Sequence, residues 1–211
     1  MKQIKIKICG ITREEDALMA ARHGATAIGF VFCTSVRRVP IAEARKIAHV
    51  LPKIVEKIGV FANDSIADIL AISDTVGLTG VQLNGSEDGD YAKALKKERP
   101  DLHIIKAISV SSPCSFAGIE SFPADFVLLD SPRDLRAPSP RPSLDLDLVQ
   151  TYRPIRPFYI AGGLTAWNVA DYVKAVRPAG VDVSSGVESE PGIKDETAVR
   201  SFIHRVRGVM K

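Results

Sequence analysis

Histidine, cysteine and tryptophan are scarce in this 211-residue chain, at four, three and one, and their positions exclude several kinds of function. His23 and His49 fall late in helical stretches, His103 opens an apolar strand and His204 lies in the last helical stretch. With no carboxylate-histidine cluster, metal catalysis and histidine-mediated nucleophilic catalysis lose support. Cys9, Cys33 and Cys114 have no metal-ligand spacing, and an odd number makes a poor disulfide framework, so reduced thiols are expected. No apolar run approaches the ~18 to 20 residues of a membrane span. The amino terminus enters an apolar strand at Ile4, too early for a secretory signal, so a cytoplasmic location and no membrane partner are expected. The net charge of +3 comes from scattered lysines and arginines with no interleaved aromatics, which argues against nucleic acid. No linker separates blocks of different composition, and RAPSPRPS at Arg136 to Ser143 reads as a loop. A single domain over residues 1–211 is expected.

What the chain has is a period. Apolar, β-branched runs begin near Ile4, Ala27, Lys57, Gly80, His103, Phe126, Pro157 and Gly180, 23 residues apart except for two intervals of 30 and 31. Helical periodicity fills the intervals, and Thr12 (three before Glu15), Ser65, Ser86 and Thr165 stand as candidate helix caps. Eight such units describe an α/β fold, a single (β/α)8 TIM barrel. The last helix, from about Lys194, sets Val199, Phe202, Ile203, Val206 and Met210 on one stripe. Both long intervals gain their residues after a strand, in Cys33 to Pro40 and Ser131 to Ser143, on the face where barrels do chemistry. Arginines in these loops (Arg37, Arg38, Arg133, Arg136, Arg141) suit a small anionic ligand.

Strict alternation in IKIKIC turns Ile4, Ile6 and Ile8 toward the helices, Lys7 into the barrel and Cys9 to its upper rim. The same parity turns Asp182 and Ser184 inward on the eighth strand, beside the first. A Lys7 to Asp182 ion pair is expected, because an unpaired charge there would cost several kcal/mol. The seventh strand ends in AGGL and the eighth in DVSSG. Either alone would only make tight turns; together at the mouth they favour phosphate binding by backbone N–H groups, through Gly162, Gly163, Ser184, Ser185 and Gly186. Two strand ends offer groups for proton transfer. Cys9 is either a small buried hydrophobe or, with its pKa lowered by Lys7, a base; Asp130 is either a loop cap or, with its pKa raised by apolar flanks, an acid. Arg37 is either a solvated loop charge or a carboxylate ligand.

With KICGIT at Lys7 to Thr12, GFVF, the SVR loop, VQL, LLD, AGGL and DVSSGVESEPGIKD in order, the chain resembles phosphoribosylanthranilate isomerase of tryptophan biosynthesis over nearly its whole length. The resemblance implies an isomerase acting on N-(5-phosphoribosyl)anthranilate by an Amadori rearrangement without a cofactor. In it Cys9 matches the general base, Asp130 the general acid and Arg37 the arginine for the anthranilate carboxylate. Gln82 and Asp182 match substrate-binding positions, and the glycine and serine turns the phosphate site. The implied partner is a small phosphoribosyl substrate, and the assembly a monomer or homodimer. Asn84 stands where the family has histidine, an amide that hydrogen-bonds without titrating near neutrality. The family's glycine-rich sixth loop is replaced by SPRDLRAPSPRPSLDLDL, in which prolines restrict closure and Arg133 or Arg136 could meet the ligand. Two alternatives stay open: a non-catalytic or altered-specificity barrel for a phosphorylated metabolite, and another phosphosugar enzyme such as an epimerase, to which the missing metal-binding histidines are unfavourable.

Overall fold

In the computed structural model, which describes residues 3–132 and 143–209, eight parallel strands close into a barrel in chain order. They are β1 (Lys5–Cys9), β2 (Ala27–Val31), β3 (Glu56–Phe61), β4 (Gly80–Leu83), β5 (His103–Ser109), β6 (Phe126–Asp130), β7 (Phe158–Ile160) and β8 (Gly180–Val183). β8 pairs back to β1 with Lys7 opposite Asp182. Helices α1 (Glu14–His23), α2 (Ile41–Val50), α3 (Ile66–Val76), α4 (Gly89–Glu98), α5 (Leu146–Thr151), α6 (Val169–Val176) and α7 (Glu196–Gly208) cover the outside. The fifth unit departs from the expected pattern: only a 3₁₀ turn, Pro113–Phe116, follows β5. Pro113, Gly118 and Pro123 break that segment, so no helical stretch of useful length survives between them.

The alternation of β1 decides which way the barrel faces. Ile4, Ile6 and Ile8 are buried against the helices in the main apolar core. Inside, Ala27, Ile58, Ile105, Leu128, Tyr159 and Ala161 form a lower apolar cluster, and Cys9, Val31 and Val60 form an upper one. On α7, Val199, Phe202, Ile203 and Val206 are buried as the stripe requires, while Met210 lies outside the described residues.

The helix starts hold corrections. Ser65 caps α3 by accepting from the Asp68 N–H. Thr12 does not cap α1: Arg13 occupies that position, and the Thr12 hydroxyl donates to the Gly192 carbonyl at 2.6 Å. The α4 cap is Asp88 rather than Ser86, with its carboxylate accepting from Tyr91 N–H. Thr165 precedes a turn in which its own N–H is taken by Asn168, and α6 starts only at Val169. At α4 and α6 a second acceptor within a few residues, Asp88 or Asn168, takes part instead, whereas the Thr12 hydroxyl is drawn off by the distant Gly192 carbonyl.

Phe202 is fully buried on α7. Its replacement by Ala should lower unfolding free energy by about 3–5 kcal/mol, read as a shifted midpoint in chemical denaturation at unchanged slope; a shift of under about a fifth of that would mean that α7 docks loosely.

Candidate active site

One cavity opens at the carboxyl ends of the strands, with about 780 Å³ of empty space including its mouth. Cys9 from β1, Asp130 from β6, Gln82 from β4 and Asp182 from β8 line it, together with Arg37, Gly162, Gly163, Ser184, Ser185 and Gly186 from the loops. These ten residues singled out from the sequence therefore meet in one place, whereas Arg38, also expected to suit an anionic ligand, faces a separate pocket beside Phe32, Pro40 and Asp64. Arg133, Arg136 and Arg141 lie outside the described residues.

The floor is a charged network. Lys7 is fully buried, and its ammonium donates to Asp182 Oδ2 at 3.0 Å and to Gln82 Oε1 at 2.9 Å. Gln82 passes the chain upward by donating to Asn84 Oδ1 at 2.8 Å, so the amide at the histidine position of the resemblance joins the same network. Burial works against the Lys7 charge, but Asp182 and then Cys9 more than offset it, and the ammonium is held above the ordinary lysine value.

Cys9 answers to burial first. Loss of solvent pushes its thiol above the usual value; Lys7 pulls the other way without offsetting this, and Asp182 adds to the rise. The expectation of a lowered thiol pKa is corrected. Lys7 still favours the thiolate, but Asp182 opposes part of that pull and desolvation outweighs it.

Arg37 is held from two sides. Its stem lies over Gly10, where a Cβ would stand 2.7 Å from Arg37 Cδ. Its Nε and Nη2 donate to Glu188, at 2.8 and 3.1 Å from Nε and 2.7 Å from Nη2. Glu188 also accepts from Lys194 Nζ at 2.7 Å, and these two bonds hold its carboxyl below the usual range although burial opposes the charge. Burial in turn takes Lys194 below the ordinary lysine value in spite of Glu188. Neither Glu188 nor Lys194 was singled out from the sequence. The signal was available: they flank Pro191 and Gly192, a turn dipeptide that makes an acid and a base cross-strand neighbours.

The adjoining wall is built of turns. Gly186 packs so close to the Leu164 carbonyl that any side chain there would collide with backbone, which brings the loops after β7 and β8 together. The N–H groups of Gly162, Gly163, Ser185 and Gly186 donate to no described residue. Ser184 Oγ and Asp182 Oδ1 are buried and also without a hydrogen-bond partner among the described residues. Bare N–H groups beside a hydroxyl are an anion site, and a lone carboxylate oxygen facing a cavity accepts a ligand hydroxyl or amine.

The family model for N-(5'phosphoribosyl)anthranilate (PRA) isomerase matches residues 6–205. An N-(5'-phosphoribosyl)anthranilate isomerase from Nostoc punctiforme is 37% identical over 206 residues, covering 96% of this chain and 98% of that protein. Among solved structures, a phosphoribosyl anthranilate isomerase in complex with reduced 1-(o-carboxyphenylamino)-1-deoxyribulose 5-phosphate is 36% identical with a TM-score of 0.86, covering 98% of this chain and all of that one. Monomers of the dimeric enzyme from Thermotoga maritima are likewise 36% identical with a TM-score of 0.86, at 98% and 100% coverage.

A raised thiol pKa has a sign that can be checked. The unfolded chain loses the Cys9 proton at the ordinary value while the folded chain still holds it, so this group's contribution to stability is complete below that value and falls as pH rises toward the folded one. In the ligand-free protein, alkylation followed by mass spectrometry should label exposed Cys114 well before Cys9 near neutral pH, with the Cys9 rate still climbing above the ordinary thiol pKa. Equal labelling of both at neutral pH would contradict a neutral, buried thiol.

Proposed function

The chain belongs to the N-(5'-phosphoribosyl)anthranilate isomerase family and is an isomerase of tryptophan biosynthesis, and we propose that Cys9 and Asp130 carry its two proton transfers. The reaction converts N-(5-phosphoribosyl)anthranilate to 1-(o-carboxyphenylamino)-1-deoxyribulose 5-phosphate, an aldosylamine to a ketosamine. Asp130 protonates the ribose ring oxygen, and the ring opens to an imine. Cys9, as thiolate, removes the C2' proton, and the resulting enolamine tautomerises to the ketone. Each step moves one proton, so the chemistry needs no cofactor.

The observation that carries this assignment is that Cys9 and Asp130 line one cavity from separate strands of the barrel, with an anion-binding wall beside them. The phosphate is held by the N–H groups of Gly162, Gly163, Ser185 and Gly186 with the Ser184 hydroxyl. Asp182 accepts from a ribose hydroxyl through its unpaired oxygen, and Gln82 borders the sugar. Arg37 takes the anthranilate carboxylate. Anchoring at both ends sets the sugar carbon against the sulfur, which is worth more than either proton transfer alone. The enzyme works in the cytoplasm as a monomer or homodimer; the dimeric Thermotoga maritima relative supports the second.

Loss of phosphoribosylanthranilate fluorescence measures turnover directly. Activity should be unaffected by a chelator, and Cys9→Ala and Asp130→Asn should each reduce turnover by at least about 100-fold with an unchanged circular dichroism spectrum. Near-wild-type turnover in either variant removes that residue from the mechanism, and binding without turnover in the unaltered chain would mark it as a binder.

A further inference from the structure

We infer that Glu188 is a positioning residue that aims Arg37 at the substrate carboxylate, and thereby sets the preference of the site for an N-linked aminobenzoate over an uncharged aniline. The inference deepens the proposed function and rests on Arg37 facing that carboxylate.

An arginine reaching across a pocket mouth from a loop has many rotamers, and a carboxylate ligand that must order it loses affinity to that ordering. Here the ordering is done beforehand. Glu188 grips the Nε–Nη2 edge with both oxygens, leaving Nη1 without a bond among the described residues while Arg37 lines the cavity. A second carboxylate therefore meets the outer edge, Nη1 with the remaining Nη2 hydrogen, which is still a two-pronged surface. Glu188 cannot follow the guanidinium outward. Its side chain is 5% exposed, and Lys194, itself fully enclosed, holds Oε1 at 2.7 Å.

Lys194 is fixed in its turn. It stands opposite Glu188 across the small hairpin of β9 (Glu188–Glu190) and β10 (Ile193–Lys194), with its backbone N–H on Asp16 and its ammonium on the Ser184 carbonyl at 3.2 Å. The three side chains sum to one positive charge: Arg37 and Lys194 against Glu188. One carboxylate from the ligand neutralises the group, and an uncharged ring leaves it unbalanced in a half-buried place. Glu188 thus does two things. It keeps two cations from repelling each other, and it leaves only enough positive charge for a monoanion.

The test is binding of two stable ligands, reduced 1-(o-carboxyphenylamino)-1-deoxyribulose 5-phosphate and its counterpart lacking the carboxyl group, by calorimetry. Glu188→Gln should weaken the carboxylate ligand by about 10-fold, one factor of the kind lost with a charge-assisted bond, while the other ligand changes by less than about 2-fold. In an Arg37→Ala background the same change should cost the carboxylate ligand less than about 2-fold, because Glu188 acts through Arg37. Equal weakening of both ligands, or a full loss in the Arg37→Ala background, would show a merely structural role and overturn the inference. Should Glu188→Gln fail to fold, Glu188→Asp keeps the charge beside Lys194 and withdraws it from Arg37, and the same selective loss is expected. If the unaltered chain binds neither ligand, the proposed function falls and this inference with it; if it binds both equally, the function stands and the role of Arg37, with that of Glu188, is overturned.

Discussion

A lysine and an aspartate inside the barrel, Lys7 on β1 and Asp182 on β8, constrain everything above them. They stand opposite each other in the β1–β8 register, and both are buried. Removing either partner would leave a charge in an apolar interior at a cost of about 3–5 kcal/mol, so the pair tolerates only one register and one parity for these two strands. A slip of one residue would send Ile6 and Ile8 into the barrel and Lys7 into the helices. With the parity fixed, Cys9 two residues on from Lys7 and Ser184 two residues on from Asp182 have to face the mouth. The ion pair contributes less to stability than to the choice of which side chains reach the cavity.

Above that layer the loops hold one another. Gly10, Arg37 and Ser184 come from the ends of three strands, and the missing Cβ of Gly10 is what lets the other two approach: a Cβ there would stand 2.7 Å from Arg37 Cδ and 3.0 Å from Ser184 Oγ. Gly186 does the same for the loops after β7 and β8. The two halves of the mouth thus differ in kind. In one part charged side chains are tied into a ladder from Lys194 through Glu188 to Arg37; in the adjoining part the polar groups are mostly backbone N–H without a partner among the described residues. A ligand with a carboxylate at one end and a phosphate at the other fits that division, since a fixed guanidinium discriminates a planar monoanion and a nest of amides accepts a tetrahedral one.

Strand positions were legible because alternation and spacing are set by the closed barrel itself, and the starts at Ala27, Gly80, His103, Phe126 and Gly180 coincide with the observed ones. Inward-facing residues follow from parity, so the lining of the cavity was legible too. Helix caps were not. Ser86 and Asp88 are both good acceptors within one turn, and the choice depends on where Asn63 from a neighbouring loop takes the Ser86 N–H. The fifth unit has only a 3₁₀ turn after β5 for a reason the sequence does contain, in Pro113, Gly118 and Pro123, but the regular period masks it. Glu188 escaped notice because its partner Arg37 lies 151 residues away, and no local pattern joins an acid after the eighth strand to an arginine after the second. The sign of the Cys9 shift was misjudged for a related reason: a sequence displays the charge of Lys7, and it does not display the burial of the thiol, which outweighs that charge, or the Asp182 partner that offsets part of it.

That balance bears on how the thiol would serve as the proposed base. A sulfur facing an unpaired ammonium would be ionised at neutral pH but weakly basic, since whatever stabilises the thiolate also lowers its affinity for a carbon-bound proton. Burial, with Lys7 already paired to Asp182, moves the balance toward a thiol that is mostly protonated at neutral pH and more strongly basic when it does lose its proton. The C2' proton of an imine is acidified by the adjacent C=N group, yet it remains a carbon acid, and a stronger base shortens the larger part of that barrier. The cost is a smaller population of the reactive form. A raised Cys9 therefore exchanges occupancy for strength, and because the product of the two is greatest when the pKa lies near working pH, a bound substrate that favours the thiolate would bring the group closer to that optimum.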